Sequence, residues 1–367
     1  MNIVQENFSI ASFLSKEYKP YLISGPCSAE TEEQVNETID QLALHVPQIQ
    51  VFRAGIWKPR TRPGVFEGVG EIGLKWIKEA ALKHQKPCMV EVANKSHVEA
   101  ALKAGIDMLW IGARTSVNPF IVQEIADALR GINIPVFVKN PVNPDLDLWI
   151  GAFERLHKAG ITQLAAIHRG FSSYTKTEYR NKPNWEIPIE LKRRFPQLTM
   201  ICDPSHICGR RDILLKVAQK AMDLNFDGLM IESHIHPNEA WSDAKQQITP
   251  LELKALITQI VFRENKILSA DDDNALIELR SKIDRIDNYI IELLSERMTI
   301  SEEIGTYKAK NNITIYQPER WSQIVDRMLK IGTENGLSSS FILQLIQQIN
   351  KESIRHQTQV MNKKDAL

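Results

Sequence analysis

The sequence predicts a (β/α)8 barrel followed by a smaller all-α domain, and three observations carry that reading. Short β-rich apolar runs alternate with stretches of helical spacing up to about residue 262, and the alternation then stops. From Ala275 to about Lys310 there is no Pro and one Gly, with the apolar spacing of one long helix. A chain of 367 residues suits one large domain and one small one. A doubly wound open sheet is the alternative for the first part, because periodicity alone does not close a barrel.

The strands read, in order, near Tyr21–Ser24, Gln50–Arg53, Cys88–Val92, Met108–Ile111, Pro135–Lys139, Gln163–Ile167, Thr199–Cys202 and Gly228–Ile231. Most are apolar on both faces, as strands covered by helices are. Residues 71–84, 96–104, 119–130 and 212–225 between them show helical spacing. Arg263–Asn274 is polar, and its acidic run Asp271–Asp273 reads as a linker and a negatively charged helix start. Apolar residues at 276, 279, 283, 286, 290, 293, 294, 300 and 304 then mark the long helix. It should be about 35 residues, or about 50 Å, in length. A second helix follows Pro318 and a third runs from about Ser338 to Gln359. The expected domains are therefore 1–262, a linker at 263–274, a helical domain at 275–360 and a frayed tail at 361–367. So long a helix cannot bury its stripe alone, so a homodimer through the helical domain is expected.

Composition excludes several classes. Lys plus Arg total 45 against 45 Asp plus Glu, which removes the field that nucleic-acid or anionic-membrane binders carry. No apolar run approaches a membrane span, and residues 1–19 lack a signal-peptide layout. The cysteines, at 27, 88, 202 and 208, are too few for a disulfide scaffold, so a reducing cytoplasm fits. Strand 1 begins by about residue 20, so no separate N-terminal regulatory domain is expected.

Polar residues collect where the apolar runs end: Cys27, Arg53, Lys58, Arg60, Thr61, Glu91, Arg114, Lys139, His168, Arg169, Asp203, His206, Glu232 and Asp243. In a β/α barrel these positions share the rim where chemistry occurs. Cys27, His206, Glu232 and Asp243 offer a thiolate, an imidazole and two carboxylates, a donor set for one divalent transition metal. The mixed donors do not single out a metal: manganese, iron, zinc or cobalt could fit. Arg53, Lys58, Arg60, Arg114, Lys139 and Arg169 have little acidic offset beyond the metal ligands, so the substrates should carry phosphates or carboxylates. Two anionic substrates beside a Lewis acid suggest a metal-activated carbonyl attacked by a second bound molecule.

The motifs Gly25-Pro26-Cys27-Ser28, Lys58-Pro59-Arg60-Thr61, Gly112-Ala113-Arg114-Thr115, Asp203-Pro204-Ser205-His206 and Ile231-Glu232-Ser233-His234 through Asp243 occur in this order. Together they resemble 3-deoxy-D-arabino-heptulosonate 7-phosphate (DAHP) synthase, in the short beta subclass of type I. The resemblance implies a TIM-type barrel that condenses phosphoenolpyruvate with erythrose 4-phosphate and releases phosphate. It implies Cys27, His206, Glu232 and Asp243 as metal ligands, and Arg114 and Arg169 on the phosphoenolpyruvate phosphate. Arg53, Lys58 and Lys139 would lie near its carboxylate, Arg60 and Thr61 would hold the aldose phosphate, and Lys58 is the candidate proton donor. The sister octulosonate synthase shares the barrel but differs at Lys-Pro-Arg-Thr. Downstream of that motif, Arg62-Pro63-Gly64-Val65-Phe66-Glu67-Gly68 departs from the family's small and aromatic residues.

On the long helix, Arg297 and Lys308 lie within about 20° of one face, whereas Arg280 lies about 100° from Arg297 around the axis. Ser353 and Gln357 form an i,i+4 pair. Leu279-Arg280-Ser281-Lys282-Ile283-Asp284, Glu296-Arg297, Ile304-Gly305-Thr306-Tyr307-Lys308 and Ser353 to Gln357 resemble the all-helical chorismate mutase. This implies rearrangement of chorismate to prephenate, with Arg280 from the opposite protomer. Arg297, Lys308, Arg320, Ser353 and Gln357 would come from one pocket. Arg297, Lys308 and Gln357 would act on the reacting dianion. The family's acidic positions read Gln317 and Trp321 here, so weak turnover is expected. The rival expectation is a module that mainly senses prephenate or chorismate. In either case prephenate is the candidate inhibitor of the barrel.

Overall fold

The computed structural model describes residues 20–58, 64–263 and 270–363, without side chains at 270–273 and 363. Arg60 and Thr61, residues 264–269 of the expected linker and residues 364–367 fall outside the described residues. The chain forms two compact units, Met1–Asn265 and Lys266–Leu367.

In the first unit eight parallel strands close on themselves in sequence order, which excludes the doubly wound open sheet. They are β1 (Tyr21–Gly25), β2 (Val51–Ala54), β3 (Cys88–Val92), β4 (Met108–Ile111), β5 (Val136–Lys139), β6 (Leu164–His168), β7 (Thr199–Cys202) and β8 (Gly228–Glu232). Closure comes from β1 against β8, with Ser24 opposite Ile231 and Gly25 opposite Glu232. Around them lie α1 (Glu32–His45), α2 (Ile72–Lys83), α3 (Lys95–Lys103), α4 (Pro119–Ala128), α5 (Leu146–Lys158), α6 (Glu186–Arg194), α7 (Pro204–Cys208), α8 (Leu214–Asp223) and α9 (Pro250–Gln259). Several begin on side-chain caps: Thr31 for α1, Asn94 for α3, Asn118 for α4 and Asp145 for α5. Thr249 and Glu252 cap α9 reciprocally.

Strand periodicity divides the core in two. Ile23, Val51, Met89, Met108, Trp110, Phe137, Ala165, Ile167, Ile201 and Met230 fill the barrel. Their strand neighbours, such as Leu22, Phe52, Val90, Leu109, Val138 and Leu229, pack outward under the helices. Each large apolar side chain so buried contributes about 1.5–3 kcal/mol. Two residues further along the inward series come Arg53, Glu91, Lys139, Arg169, Asp203 and Glu232. The face that builds the core thus delivers the polar groups of the rim.

The second unit holds α10 (Ala270–Lys310), α11 (Pro318–Glu334) and α12 (Ser339–Lys363). The long helix starts at Ala270, so the acidic run expected in the linker is helical backbone. The third helix runs four residues beyond its expected end. Glycines allow close packing: a Cβ on Gly332 would sit 2.3 Å from Ile342 Cδ1, and one on Gly305 3.0 Å from Gln357 Cα. Among the described residues, Met298, Ile342 and Ile346 are the only large apolar side chains buried in this unit. Ile277, Ile283, Ile286, Ile290 and Leu293 of α10 stand exposed.

Candidate active sites

The barrel rim forms a cleft lined by Lys58, Glu91, Arg114, Lys139, Arg169, Arg180, His206 and Asp243. Beneath it, Arg53 is 1% exposed, with Nη1 donating to Glu232 Oε1 at 3.1 Å and Nη2 to the Cys27 carbonyl at 3.1 Å. Its guanidinium carbon lies 4.7 Å from the centre of the Trp110 ring. Arg53 is thus held rigidly by Glu232, Cys27 and Trp110 at the end of β2.

Three of the four expected metal donors converge. Cys27 Sγ, a Glu232 carboxylate oxygen and an Asp243 carboxylate oxygen lie within 4.8 Å of one another. The Cys27 thiol is 3.3 Å from Asp243 Oδ2. His206 Nε2 stands 3.8 Å from Glu232 Oε1. Asp203 positions His206: it caps α7 by accepting from the His206 backbone N–H at 3.0 Å, with Pro204 at the first turn. The same carboxylate lies 2.8 Å from His206 Nδ1 and accepts from Lys139 Nζ at 2.8 Å. Lys58 Nζ donates to both the Cys27 carbonyl and Sγ at 3.0 Å.

Burial, and then Glu232, push the Cys27 thiol up to about 12, against the pull of Lys58. Burial also works against ionising the two carboxylates, but His206 and Arg53 hold Glu232 below its ordinary range. His206 and Arg180 do the same for Asp243. Burial brings Arg169 down to about 10, with Arg180 and Arg114 adding to the effect of burial while Asp203 opposes it. Its Nη1 donates to Asn181 Oδ1 at 2.8 Å, and its backbone N–H to Asn140 Oδ1 at 2.7 Å. Arg114 has no hydrogen-bonded or ion-paired side-chain partner among the described residues. Clustered guanidiniums with so little protein counter-charge make this part of the cleft an anion site.

Lys58 opens a loop pinched at its neck. The Lys58 N–H donates to the Glu67 carbonyl at 2.8 Å, and Trp57 bridges to Gly68. Gly68 sits at φ +101°, where a Cβ would lie 2.1 Å from the Ile56 carbonyl oxygen, so only glycine fits. Trp57 stacks on His97 at 3.9 Å and Phe66 meets Trp241 edge-on at 5.2 Å. Arg60 and Thr61 lie between these anchors, outside the described residues.

Sequence reasoning missed Arg180 and Gln246, and it quoted Asp203 without giving it a role. Asp203 was findable as the cap of a short helix that carries His206. Arg180 sits in an irregular stretch with no periodicity to mark it.

In the helical unit, Arg297 Nη1 donates to Ser353 Oγ, and Lys308 Nζ to the Ile315 carbonyl at 2.6 Å. Gln357 is 8% exposed and its Oε1 has no partner among the described residues. Burial lowers Arg297 and Lys308 from their ordinary values. Arg297, Lys308, Ser353 and Gln357 thus gather along α10 and α12. Arg280 lies exposed on α10, away from them, and Arg320 is exposed at the start of α11, donating to Gln323 Oε1 at 3.4 Å. Trp321 is half-buried, and Gln317 makes no side-chain cap for α11.

Comparison with known proteins gives two family matches. A family model described as the DAHP synthetase I family matches residues 6–267, and one described as chorismate mutase type II matches residues 279–358. A phospho-2-dehydro-3-deoxyheptonate aldolase of Thermotoga maritima is 29% identical over 239 residues, spanning 65% of this chain and 68% of that protein. A chorismate mutase of Methanocaldococcus jannaschii is 35% identical over 95 residues, 24% of this chain and 96% of that protein. The crystal structure of a Thermotoga maritima DAHP synthase superposes with a TM-score of 0.58 at 28% identity, covering 65% of this chain and 67% of that one.

Proposed function

The chain belongs to the DAHP synthetase I family and carries a chorismate mutase type II domain, and from that premise we propose how its residues divide the work. The barrel condenses phosphoenolpyruvate with erythrose 4-phosphate to DAHP and phosphate, and the helical unit rearranges chorismate to prephenate, both within the shikimate pathway.

The observation that carries the barrel reading is the convergence of Cys27, Glu232 and Asp243, with His206 beside them, at the edge of a guanidinium-lined cleft. A buried thiol, an imidazole and two ionised carboxylates suit a divalent transition metal, and the family depends on one. When bound, such a cation (manganese first, with iron, cobalt or zinc as alternatives) supplies Lewis-acid polarisation of a carbonyl oxygen. Arg114 and Arg169 hold the phosphate of phosphoenolpyruvate, and Lys139 and Lys58 its carboxylate, while Arg53 adds charge from below. We assign Arg60 and Thr61 of the Lys-Pro-Arg-Thr motif to the aldose phosphate on the strength of the family match. Lys58 Nζ, already donating to Sγ at 3.0 Å, balances the thiolate and supplies a proton to the oxygen that gains charge as the carbon–carbon bond forms. The test is phosphoenolpyruvate consumption with erythrose 4-phosphate, repeated after chelation. Turnover that survives complete metal removal would sink this reading.

In the helical unit, Arg297, Lys308 and Arg320 fix the two carboxylates of chorismate in the reactive shape. Lys308 and the Gln357 amide stabilise charge developing on the ether oxygen, with Ser353 steadying Arg297. An amide needs no protonation, so turnover requires no acid pH. Arg280 reaches the pocket of a second copy, and the exposed apolar residues of α10 form the interface of that homodimer. Among the described residues no helix is long and apolar enough to cross a membrane, and we place the protein in the cytoplasm with small-molecule partners only. Prephenate held by the helical unit inhibits the barrel; unchanged synthase rates at prephenate levels that saturate the mutase pocket would remove that regulatory role.

A further inference from the structure

We propose that Arg180 and Gln246 act as one brace that presents a single oxygen from each of two carboxylates, Asp243 and Glu232, to the cation. This rests on the metal-centre reading above and extends it to two residues outside the donor set.

The brace is a closed run of hydrogen bonds. Arg180 Nη1 donates to Asp243 Oδ1 at 2.8 Å and to Gln246 Oε1 at 2.7 Å. Gln246, 1% exposed, donates from Nε2 to Glu232 Oε2 at 2.7 Å. The two bonds fix the orientation of the Gln246 amide, because its oxygen must face the guanidinium and its nitrogen the carboxylate. The Gln246 backbone N–H also donates to the Asp243 carbonyl at 3.1 Å. Asp243 itself sits at φ +50°, a left-handed conformation that a non-glycine residue adopts only where its surroundings hold it.

The pattern on the four oxygens is selective. Asp243 Oδ1 and Glu232 Oε2 are held by the brace. Asp243 Oδ2 faces Cys27 Sγ at 3.3 Å, and Glu232 Oε1 lies 3.8 Å from His206 Nε2. The outer oxygens are thereby taken by the brace, and the inner ones are turned toward the thiol and the imidazole, with Glu232 Oε1 also accepting from Arg53 Nη1 at 3.1 Å. Without the brace either carboxylate could swing or chelate through both oxygens. Groups that orient ligands in this way set metal affinity as the ligands themselves do.

Arg180 is placed for this by its own backbone. Its N–H donates to the Cys208 carbonyl at 3.3 Å, and its side chain passes over Gly209, where a Cβ would lie 2.5 Å from Arg180 Cβ. The guanidinium also lines the cleft that holds Arg114 and Arg169. A role as one more anion-binding cation would explain that location. It would not explain the bond to Gln246 or the bond from Gln246 to Glu232.

The experiment uses the full chain stripped of metal and titrated with Co2+ alone, without substrates. Affinity is read by competition with a chromophoric chelator, and geometry by the thiolate-to-cobalt and d–d absorption bands. R180Q and Q246L should each weaken Co2+ binding about 10–100-fold and alter the d–d bands. The double variant should be little worse than the weaker single one, because the two residues form one unit. R180K, which reaches one acceptor but not both, should fall between R180Q and the unsubstituted chain and serves if R180Q misfolds by near-UV circular dichroism. The brace is refuted if either single variant binds Co2+ within about threefold of the unsubstituted chain, or if the two penalties multiply in full. An unsubstituted chain that binds Co2+ without a thiolate band would instead refute the Cys27 centre, and the brace with it.

Discussion

The barrel site and the helical site are built on opposite plans. The barrel site is finished within one chain. Its donors come from Cys27 early in the barrel sequence and Asp243 late in it, and Lys58, Lys139 and Arg180 each have a protein partner while Arg114 is left for an anion. The helical site is unfinished. Gln357 keeps an unpartnered buried oxygen, Arg280 and Arg320 stand exposed, and α10 presents a row of apolar side chains to solvent. A closed barrel buries its own edges and can hold a dense polar cluster rigidly. Three helices with three large buried apolar side chains among the described residues cannot do so, which is why we propose that the second site is completed by association.

That contrast can be broken most sharply at Cys27. Cys27→Ala should cut DAHP formation by on the order of 10³-fold or more while chorismate turnover stays unchanged. Parallel assays on one preparation check this, and joint loss of both activities would show that the two sites are not separable. Lys308→Ala is the mirror experiment. We expect chorismate turnover to fall about 10²–10³-fold with DAHP synthesis retained when no prephenate is present.

Association is tested by Ile290→Glu, which puts a charge into the exposed row of α10. The variant should run as a smaller species in light scattering and lose mutase activity. Mixing Arg280→Ala with Lys308→Ala chains should restore about a quarter of native turnover, because half of the dimers are hybrids with one intact pocket. No recovery on mixing would place Arg280 outside the pocket of a second copy.

The smallest effect concerns pH. His168, buried at the end of β6 against Phe171, Trp185 and Phe226, is pushed down to about 3, chiefly by burial and then by Arg169. The folded barrel keeps this imidazole neutral, whereas the unfolded chain protonates it near pH 6.5. Its contribution is fully present above that pH and falls as the pH drops toward about 3. Between pH 6.5 and 5 the loss should be about 2 kcal/mol. Denaturant melts followed by tryptophan fluorescence report mainly on the barrel, since only Trp321 lies in the helical unit. A His168→Phe chain should lack this increment; an unchanged pH slope would assign acid sensitivity elsewhere.

Much of this was legible in the sequence because strand periodicity is strict. Met89 and Phe137 point into the barrel, so Glu91 and Lys139, two residues on, must point to its upper end. The helical face arithmetic likewise separated Arg280 from Arg297 before any coordinates. What stayed hidden depends on loops and on depth. Arg180 meets Asp243 across 63 positions through an irregular segment, and nothing local announces it. Arg53, expected near a substrate carboxylate, is buried against Glu232 and Trp110, and its depth was not legible because a strand-end position gives direction and not height. The start of α10 at Ala270 was masked by a polar composition that reads equally as linker or helix.

Asp203 has one last consequence. By lying against the Nδ1 side of His206 while also accepting from Lys139, it favours the imidazole form that carries its hydrogen on Nδ1. The lone pair on Nε2 is then selected during folding, by a residue that never touches the incoming ion. Capture of the ion would need no proton to hop around the ring, so the one proton that must leave the donor set is that of the Cys27 thiol.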